Sequence, residues 1–269
     1  MSTIIYSSPI FGPVHSRRLG LSLGINLLPG DGKVCTFDCV YCECGFNGDH
    51  RPRLPLPSRE EVARALEAKL LQMVAEGEVP DVLTFAGNGE PTCHPRFAEI
   101  IDDTIGLRDR YCPEAKVSVL SNATQLHRAD VVSALRRVDN NIQKLDTVDA
   151  DYIRRVDRPT GSYDVQRVIR QLKAFGGHVI IQTMFMRGSL PLPSPKAGGE
   201  GSGLSVDNTG EAYVGPWLEA VKAIGPQQVM VYTIDRETPA EGLLKATREQ
   251  LDGIRDRVIA AGIPCQASY

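Results

Sequence analysis

The sequence predicts an α/β fold, an open and partial (β/α)6 barrel of the TIM type. Three observations lead there. Short, buried-type strands alternate with amphipathic helical stretches, the rhythm of right-handed βαβ units on a parallel sheet. The count of such units is about six, fewer than the eight of a closed barrel. The chain has 269 residues and 42% hydrophobic content, enough for one large core. Periodicity by itself leaves a doubly wound sheet as the alternative.

The elements follow in order. Leu19 to Leu28 reads as a strand and runs through Pro29-Gly30-Asp31-Gly32 into a cysteine-rich loop. Ser58-Arg59-Glu60-Glu61 is a capping box, and the helix it opens repeats apolar residues at Val62, Leu66, Leu70 and Val74. Val82 to Phe85 is a buried strand. His94 to Leu107 is a helix with Phe97, Ile100, Ile101 and Ile105 inward. A strand at Val117–Leu120, a helix at Ala129–Val138 and a short strand at Asn141–Leu145 come next. The helix Val165–Phe175 stops at Gly176-Gly177, a common C-cap. Strands follow at His178–Met184 and Gln228–Ile234. Thr247-Arg248-Glu249-Gln250 is a second capping box for the last helix, which ends near Gly262, and a short strand closes the chain. The reading is one domain over 1–269 with an insert at about 188–210. There Pro, Gly and Ser supply 13 of 23 residues, a composition that predicts disorder, with a substrate-ordered lid as the alternative.

Bulk properties restrict the function. A formal charge of −3 with only local basic pairs, Arg17-Arg18 and Arg51/Arg53, argues against a large nucleic acid partner. Apolar runs such as Val179–Ile181 are far too short to span a bilayer, so no membrane partner is expected. The start Met-Ser-Thr-Ile-Ile-Tyr reads as no signal peptide, which predicts a cytoplasmic, reducing location. Of seven cysteines, Cys44, Cys93, Cys112 and Cys265 are scattered. They read as buried free thiols, with a second cluster as the rival.

The other three concentrate the chemistry. Cys35-Thr-Phe-Asp-Cys39-Val-Tyr-Cys42 puts three thiols on one short loop. Three thiolates suit a [4Fe–4S] cluster with one iron left open to a ligand. A zinc site completed by Cys44 or His50 is the alternative. The second strand ends in Gly87-Asn88-Gly89-Glu90-Pro91-Thr92. Glycines there let the backbone approach a ligand, and Glu90 is a charge-assisted acceptor. The third strand ends in Ser121-Asn122, a ribose or carboxylate contact or an ordinary Asn turn. Lys144 and Asp146 end the fourth: Asp146 contacts a ribose or substrate, or caps the next helix, and Lys144 pairs with it or binds a substrate anion. Gln182, Met184 and Met186 lie along the fifth. The sixth runs through Tyr232 to Asp235-Arg236-Glu237, where Arg236 grips a carboxylate or phosphate or pairs with its acidic neighbours.

The cysteine spacing resembles the signature of radical S-adenosylmethionine (radical SAM) enzymes. Gly87–Glu90 resembles their GGE-type motif, with Asn88 where the first Gly usually stands. The resemblance implies the same partial barrel. It implies a cluster on Cys35, Cys39 and Cys42 as the catalytic metal centre, whose open iron chelates SAM. Reduction by an external flavodoxin or ferredoxin then yields a 5′-deoxyadenosyl radical that abstracts hydrogen from a substrate. It implies SAM contacts from Gly87, Asn88, Gly89, Glu90, Ser121, Asn122, Asp146, Gln182 and Tyr232, with the Tyr41 backbone at the adenine edge. Arg17, Lys144 and Arg236 are the substrate candidates. Phe11 to Gly20 and Asp235-Arg236 look like the branch of Fe–S oxidoreductases related to wyosine synthases. Those enzymes carry an extra cysteine set before the SAM motif, whereas no cysteine precedes Cys35. The expected substrate is a small molecule or peptide. The alternatives are tRNA modification, activation of a glycyl-radical enzyme, or a zinc- or Fe–S-bearing binding module without turnover.

Overall fold

The structure, a computed structural model, describes residues 3–16, 20–191 and 203–269. Arg17 and the insert's 192–202 lie outside the described residues. The chain divides into two compact units. One comprises Ile4–Thr36 and Asn47–Lys144; the other comprises Phe37–Phe46 and Leu145–Tyr269, with Thr3.

In the first unit β1 (Ile10–Ser16) runs antiparallel to β2 (Gly20–Ile25). Then β2, β3 (Val82–Phe85), β4 (Lys116–Ser121) and β5 (Asn140–Lys144) pair in parallel, in chain order. Helices α1 (Arg59–Ala75), α2 (Phe97–Tyr111) and α3 (Ala129–Leu135) are the crossovers. Because the strand order never reverses, right-handed crossovers place all three helices on one face. A doubly wound sheet would reverse at a switch point.

Strand alternation then sorts the side chains. Leu23, Ile25, Leu83, Phe85, Val117 and Val119 are fully buried, and Phe85 meets Phe97 of α2 edge-on at 6.1 Å. The other face is polar: the Ser22 and Thr84 hydroxyls share a 2.8 Å hydrogen bond, and Asn140 donates to Ser118 at 2.8 Å.

The α1 capping box forms as the sequence predicts. Its buried stripe is Val62, Leu66, Leu70 and Met73, whereas Val74 is 44% exposed. Steps of four outrun a 3.6-residue turn, so the last inward position slips back by one. The same slip buries Thr104 on α2 and leaves Ile105 only half-buried.

In the second unit, α4 (Ala150–Tyr152) continues as a π-helical turn, Ile153–Asp157, ahead of α5 (Val165–Lys173). Strand β6 (Ile180–Met184) is followed by β7 (Met186–Leu190), β8 (Leu204–Ser205), α6 (Glu211–Ile224), β9 (Gln228–Tyr232), β10 (Leu243–Lys245), α7 (Arg248–Ala260) and β11 (Cys265–Ser268). β6, β9 and β11 pair in parallel, again in chain order. β11 is the closing strand the sequence predicts.

Two features depart from the sequence reading. The described ends of the 188–210 insert are ordered, because β7 pairs with both β8 and β10 in a small antiparallel sheet. Helix α6 forms across Gly215-Pro216, residues that locally disfavour it. Tertiary packing overrides them. Trp217 is 1% exposed, stands edge-on to Phe185 at 5.2 Å, and donates its indole N–H to the Leu145 carbonyl (3.0 Å) and the Thr183 hydroxyl (3.1 Å).

Candidate active site

In the first unit the end of β3 is stitched to the residue before Cys35. Val34 N–H donates to the Asn88 carbonyl (2.9 Å), and Glu90 N–H donates to the Val34 carbonyl (3.1 Å). Gly89 makes this possible: its φ is +129°, and a Cβ there would stand 1.9 Å from the Val34 oxygen. Gly87, at φ +125°, leaves room for the Asn26 side chain, which a Cβ would meet at 2.8 Å.

Asn88 departs from the glycine of the motif it resembles, and its side chain is fully engaged. Its amide donates to the Tyr6 and Pro29 carbonyls, both at 2.8 Å, and its oxygen accepts from Tyr6 N–H at 2.8 Å. Asn88 is 0% exposed. The side chain ties the N-terminal segment to the β3 turn and has no donor left for a ligand.

Glu90, 2% exposed, turns its carboxylate back into the unit. One oxygen accepts from Thr92 N–H (3.1 Å) and hydroxyl (2.5 Å), the other from Asn122 N–H (2.6 Å). Burial raises its pKa above the usual carboxylate value, outweighing those hydrogen bonds.

Ser121 and Asn122 form an Asn turn at the end of β4. Asn122 Oδ1 accepts from Thr124 N–H (3.1 Å), Ser121 Oγ accepts from Ala123 N–H (3.1 Å), and Ala123 is left-handed at φ +65°. The Asn122 amide also donates to the Thr36 hydroxyl (2.9 Å) and to Cys35 Sγ (3.6 Å). One residue thus holds Glu90 with its backbone and Cys35 with its side chain.

The second unit holds the rest of the cysteine loop against the π-helical turn. Asp38 N–H donates to the Asp157 and Arg158 carbonyls (3.0 Å each), and Val40 N–H donates to the Val156 carbonyl (2.9 Å). Phe37 bridges to Pro159 and meets Tyr163 edge-on at 5.2 Å. Arg158, left-handed at φ +49°, lies 5.4 Å over Phe46. Cys39 is buried with its thiol 3.9 Å from Asp157 Oδ1, and Cys42 N–H turns back onto the Cys39 carbonyl at 3.2 Å.

Asp146 caps no helix; Asp149 does that for α4 by accepting Tyr152 N–H. Asp146 instead accepts Met184 N–H at 3.0 Å and the Tyr41 hydroxyl. Burial, and then the nearby Asp146 charge, push the Tyr41 pKa well above the ordinary value. Gln182 pairs in register with Met230, and Met184 with Tyr232, so these four share one face of the sheet. The Gln182 side chain is buried and makes no hydrogen bond among the described residues. Lys144, half-buried, ends β5. Arg236 forms an ion pair with Glu43 of the cysteine loop at 3.0 Å, while Asp235 faces Lys245 at 3.9 Å.

Residues 31–189, more than half of the chain, match the radical SAM superfamily. The chain belongs to that superfamily. It is 31% identical over 186 residues to a UPF0026 protein of Helicobacter pylori (66% of this chain, 56% of the relative). It is 32% identical over 181 residues to one of Methanocaldococcus jannaschii (65% and 53%). The chain thus spans just over half the length of these relatives. In fold it resembles a radical SAM methyltransferase from Sphaerobacter thermophilus, with TM-score 0.65 and 13% identity, over 92% of this chain and 66% of that one. It also resembles Streptococcus suis SuiB bound to S-adenosylmethionine, with TM-score 0.59 and 15% identity, over 91% and 50%. These radical SAM neighbours establish the partial barrel. The superfamily is one of enzymes.

Radical SAM proteins generally use a [4Fe–4S] cluster and SAM, and the donor set here suits them. Among the described residues no group of three or more His, Cys, Asp or Glu side chains lies together as a metal site. The fit therefore rests on three cysteines outside any disulfide within eight residues and on the Asn122 N–H aimed at Cys35 sulfur, a contact that favours thiolate over thiol.

Sequence reasoning missed the π-helical turn, Asn26, and the Thr36–Asn122–Thr124 group. The one available signal was Pro159-Thr160-Gly161-Ser162, a cluster of turn residues.

Proposed function

We propose that this radical SAM protein binds a [4Fe–4S] cluster through Cys35, Cys39 and Cys42 and cleaves SAM to abstract hydrogen from a small molecule or peptide. The observation that carries the reading is the link from Glu90 through Asn122 to the Cys35 sulfur, at 2.6 and 3.6 Å. It couples the acid of the Gly-Glu motif to a ligand thiol. The bound cluster supplies one-electron reduction of the SAM sulfonium, with a 5′-deoxyadenosyl radical and methionine as products.

This chain's own residues bind, orient and shield. Glu90 is the acceptor for the SAM ammonium. Its raised pKa is the expected mark of a buried acid awaiting a cation, whose arrival favours the ionised form. Gln182, with its unpartnered amide, and Tyr232 beside it are placed to meet the nucleoside. The hydrogen bond of the Tyr41 hydroxyl to Asp146 holds the cysteine loop, and the Tyr41 backbone is the proposed contact for the adenine edge. Asn88 acts as a scaffold tie. Arg17, Lys144 and Arg236 are the candidates for a substrate anion, and Arg236 also pairs with Glu43 of the cysteine loop. The peptide option draws on SuiB, solved with its precursor peptide SuiA. An external flavodoxin or ferredoxin supplies the electron.

The test is anaerobic reconstitution with iron and sulfide, then dithionite and SAM, following 5′-deoxyadenosine. Release by the wild type that vanishes in Cys39→Ala is the expected result. Zinc held in place of iron, with no deoxyadenosine, would overturn the proposal.

A further inference from the structure

Beside Cys35 the first unit closes a small ring of hydrogen bonds. Asn122 Oδ1 accepts from Thr124 N–H at 3.1 Å and from the Thr124 hydroxyl at 2.7 Å. The Thr36 and Thr124 hydroxyls share a 2.7 Å bond, and the Asn122 amide donates to the Thr36 oxygen at 2.9 Å. Proton counting fixes the direction of the ring. A backbone N–H can only donate, so the Asn122 atom facing Thr124 is the carbonyl oxygen and the other is the NH2 group. The Thr124 hydroxyl gives its proton to that oxygen. Thr36 then donates to Thr124, or at 3.3 Å to the same Asn122 oxygen. One amide proton of Asn122 goes to Thr36, and the second faces Cys35 Sγ at 3.6 Å.

Both ends of that last contact are held in place. Asn122 is 6% exposed, and its backbone N–H is engaged with Glu90 at 2.6 Å. The Cys35 carbonyl accepts from the Asn47 amide at 3.1 Å, and Val34 just before it sits in the seam with the β3 turn. The donor facing the sulfur is therefore preorganised. Hydrogen bonds in such a ring also polarise one another, which strengthens the outgoing N–H. Backbone and side chain of Asn122 do separate work: the first serves a carboxylate, the second a thiol.

We propose that Asn122, held by the Thr36–Thr124 ring, is a positioning residue that raises the reduction potential of the cluster through Cys35. This role rests on the proposed cluster at Cys35, Cys39 and Cys42. Gain of one electron from the reductant leaves the cluster with one more negative charge, shared with its ligand sulfurs. An N–H dipole aimed at one of those sulfurs favours the more negative form, so it eases the reduction. A neutral amide does this without adding a buried charge.

The experiment is a redox titration of the anaerobically reconstituted protein with dithionite and mediators, followed by electron paramagnetic resonance, with iron content measured alongside. Asn122→Leu keeps the branched shape and the backbone N–H to Glu90 but removes the donor to sulfur. Thr124→Val removes one hydroxyl of the ring and leaves the amide beside Cys35. Ser118→Ala breaks a buried hydrogen bond to Asn140 elsewhere on β4 and is the control. In Asn122→Leu one-electron reduction should become on the order of tenfold less favourable, a midpoint lower by about 59 mV. Thr124→Val should shift it the same way by less, and Ser118→Ala should leave it at the wild-type value. Wild-type midpoints in both iron-loaded ring variants would overturn the proposal. So would ring variants that fold normally yet hold no iron, which would make the ring purely structural. An unshifted midpoint with lost SAM affinity in Asn122→Leu would overturn it too, by making the side chain a SAM contact. A control that shifts as far as the ring variants would reduce the effect to general destabilisation and overturn it as well. Wild type that takes up zinc and no iron would instead overturn the cluster reading itself.

Discussion

Replacing Gly89 by Ala should break the seam between the β3 turn and the cysteine loop. The added Cβ would sit 1.9 Å from the Val34 oxygen and 2.5 Å from its carbonyl carbon, both backbone atoms. Ordinary contact begins near 3.5 Å, so the two segments must part by roughly 1.5 Å. That separation disrupts the hydrogen bonds now at 2.9 and 3.1 Å between Val34 and its neighbours Asn88 and Glu90. Two backbone bonds contribute about 1 kcal/mol net each. Holding alanine at φ +129° adds roughly 1–3 kcal/mol of backbone strain. The sum, about 3–5 kcal/mol, is a large part of the 5–15 kcal/mol of an average domain. Urea unfolding followed by circular dichroism should show a midpoint lower by about 1 M or more. Iron loading should fall with it, because Cys35 follows Val34 and Glu90 follows Gly89. A Gly89→Ala protein with the wild-type midpoint and full iron content would refute the claim that this approach holds the site together.

Three more outcomes are expected. Asn88→Gly removes three side-chain hydrogen bonds and should lower stability by roughly 2–4 kcal/mol. The folded variant should still bind SAM in equilibrium dialysis; loss of SAM affinity alone would make the Asn88 side chain a ligand contact. Glu90→Gln bears on pH. The native carboxyl binds its proton more tightly than the unfolded one, so wild-type stability should fall as pH rises from about 4.5 through the raised native pKa. The variant should lack that fall, and SAM should bind it on the order of tenfold or more weakly for want of a charged acceptor; a matching pH dependence would show that another group titrates. Finally, burial pushes the Cys93 and Cys265 thiols up to about 12. In native protein at pH 8 they should alkylate markedly more slowly than an ordinary thiol, as peptide mass spectrometry would show; rapid labelling at either would refute the raised pKa.

What the sequence revealed of this molecule, and what it withheld, divides along side chain and backbone. The parallel strands were legible because Val82–Phe85 and Val117–Leu120 are bounded apolar runs. The capping boxes at Ser58 and Thr247 were legible because they are two-residue side-chain reciprocities. Helix α6 was not: the local cost of Gly215-Pro216 is visible in the sequence, while the burial of Trp217 that offsets it is a tertiary fact. The site divides in the same way. Cysteine spacing and a Gly-Glu strand end announce themselves by residue type. The support for Cys39 consists of carbonyls from Val156, Asp157 and Arg158, and any residue supplies a carbonyl. The role of the Asn88 side chain was hidden for the converse reason, since nothing in the sequence says that its three bonds close on Tyr6 and Pro29.

The two non-glycine residues with left-handed backbone among the described residues, Ala123 and Arg158, sit at these supports. Ala123 follows the Asn122 that holds Glu90 and Cys35; Arg158 ends the turn that receives Asp38. Such conformations persist where surrounding contacts over-determine them. Here those contacts are the Ser121 and Asn122 bonds to Ala123 and Thr124 on one side, and the Asp38 and Phe46 contacts to Arg158 on the other. Each strained residue therefore marks a place where chain geometry has been set by what it must hold. Both lie one short step from a thiol of the cysteine motif, in separate units, and neither is identifiable from its own residue type.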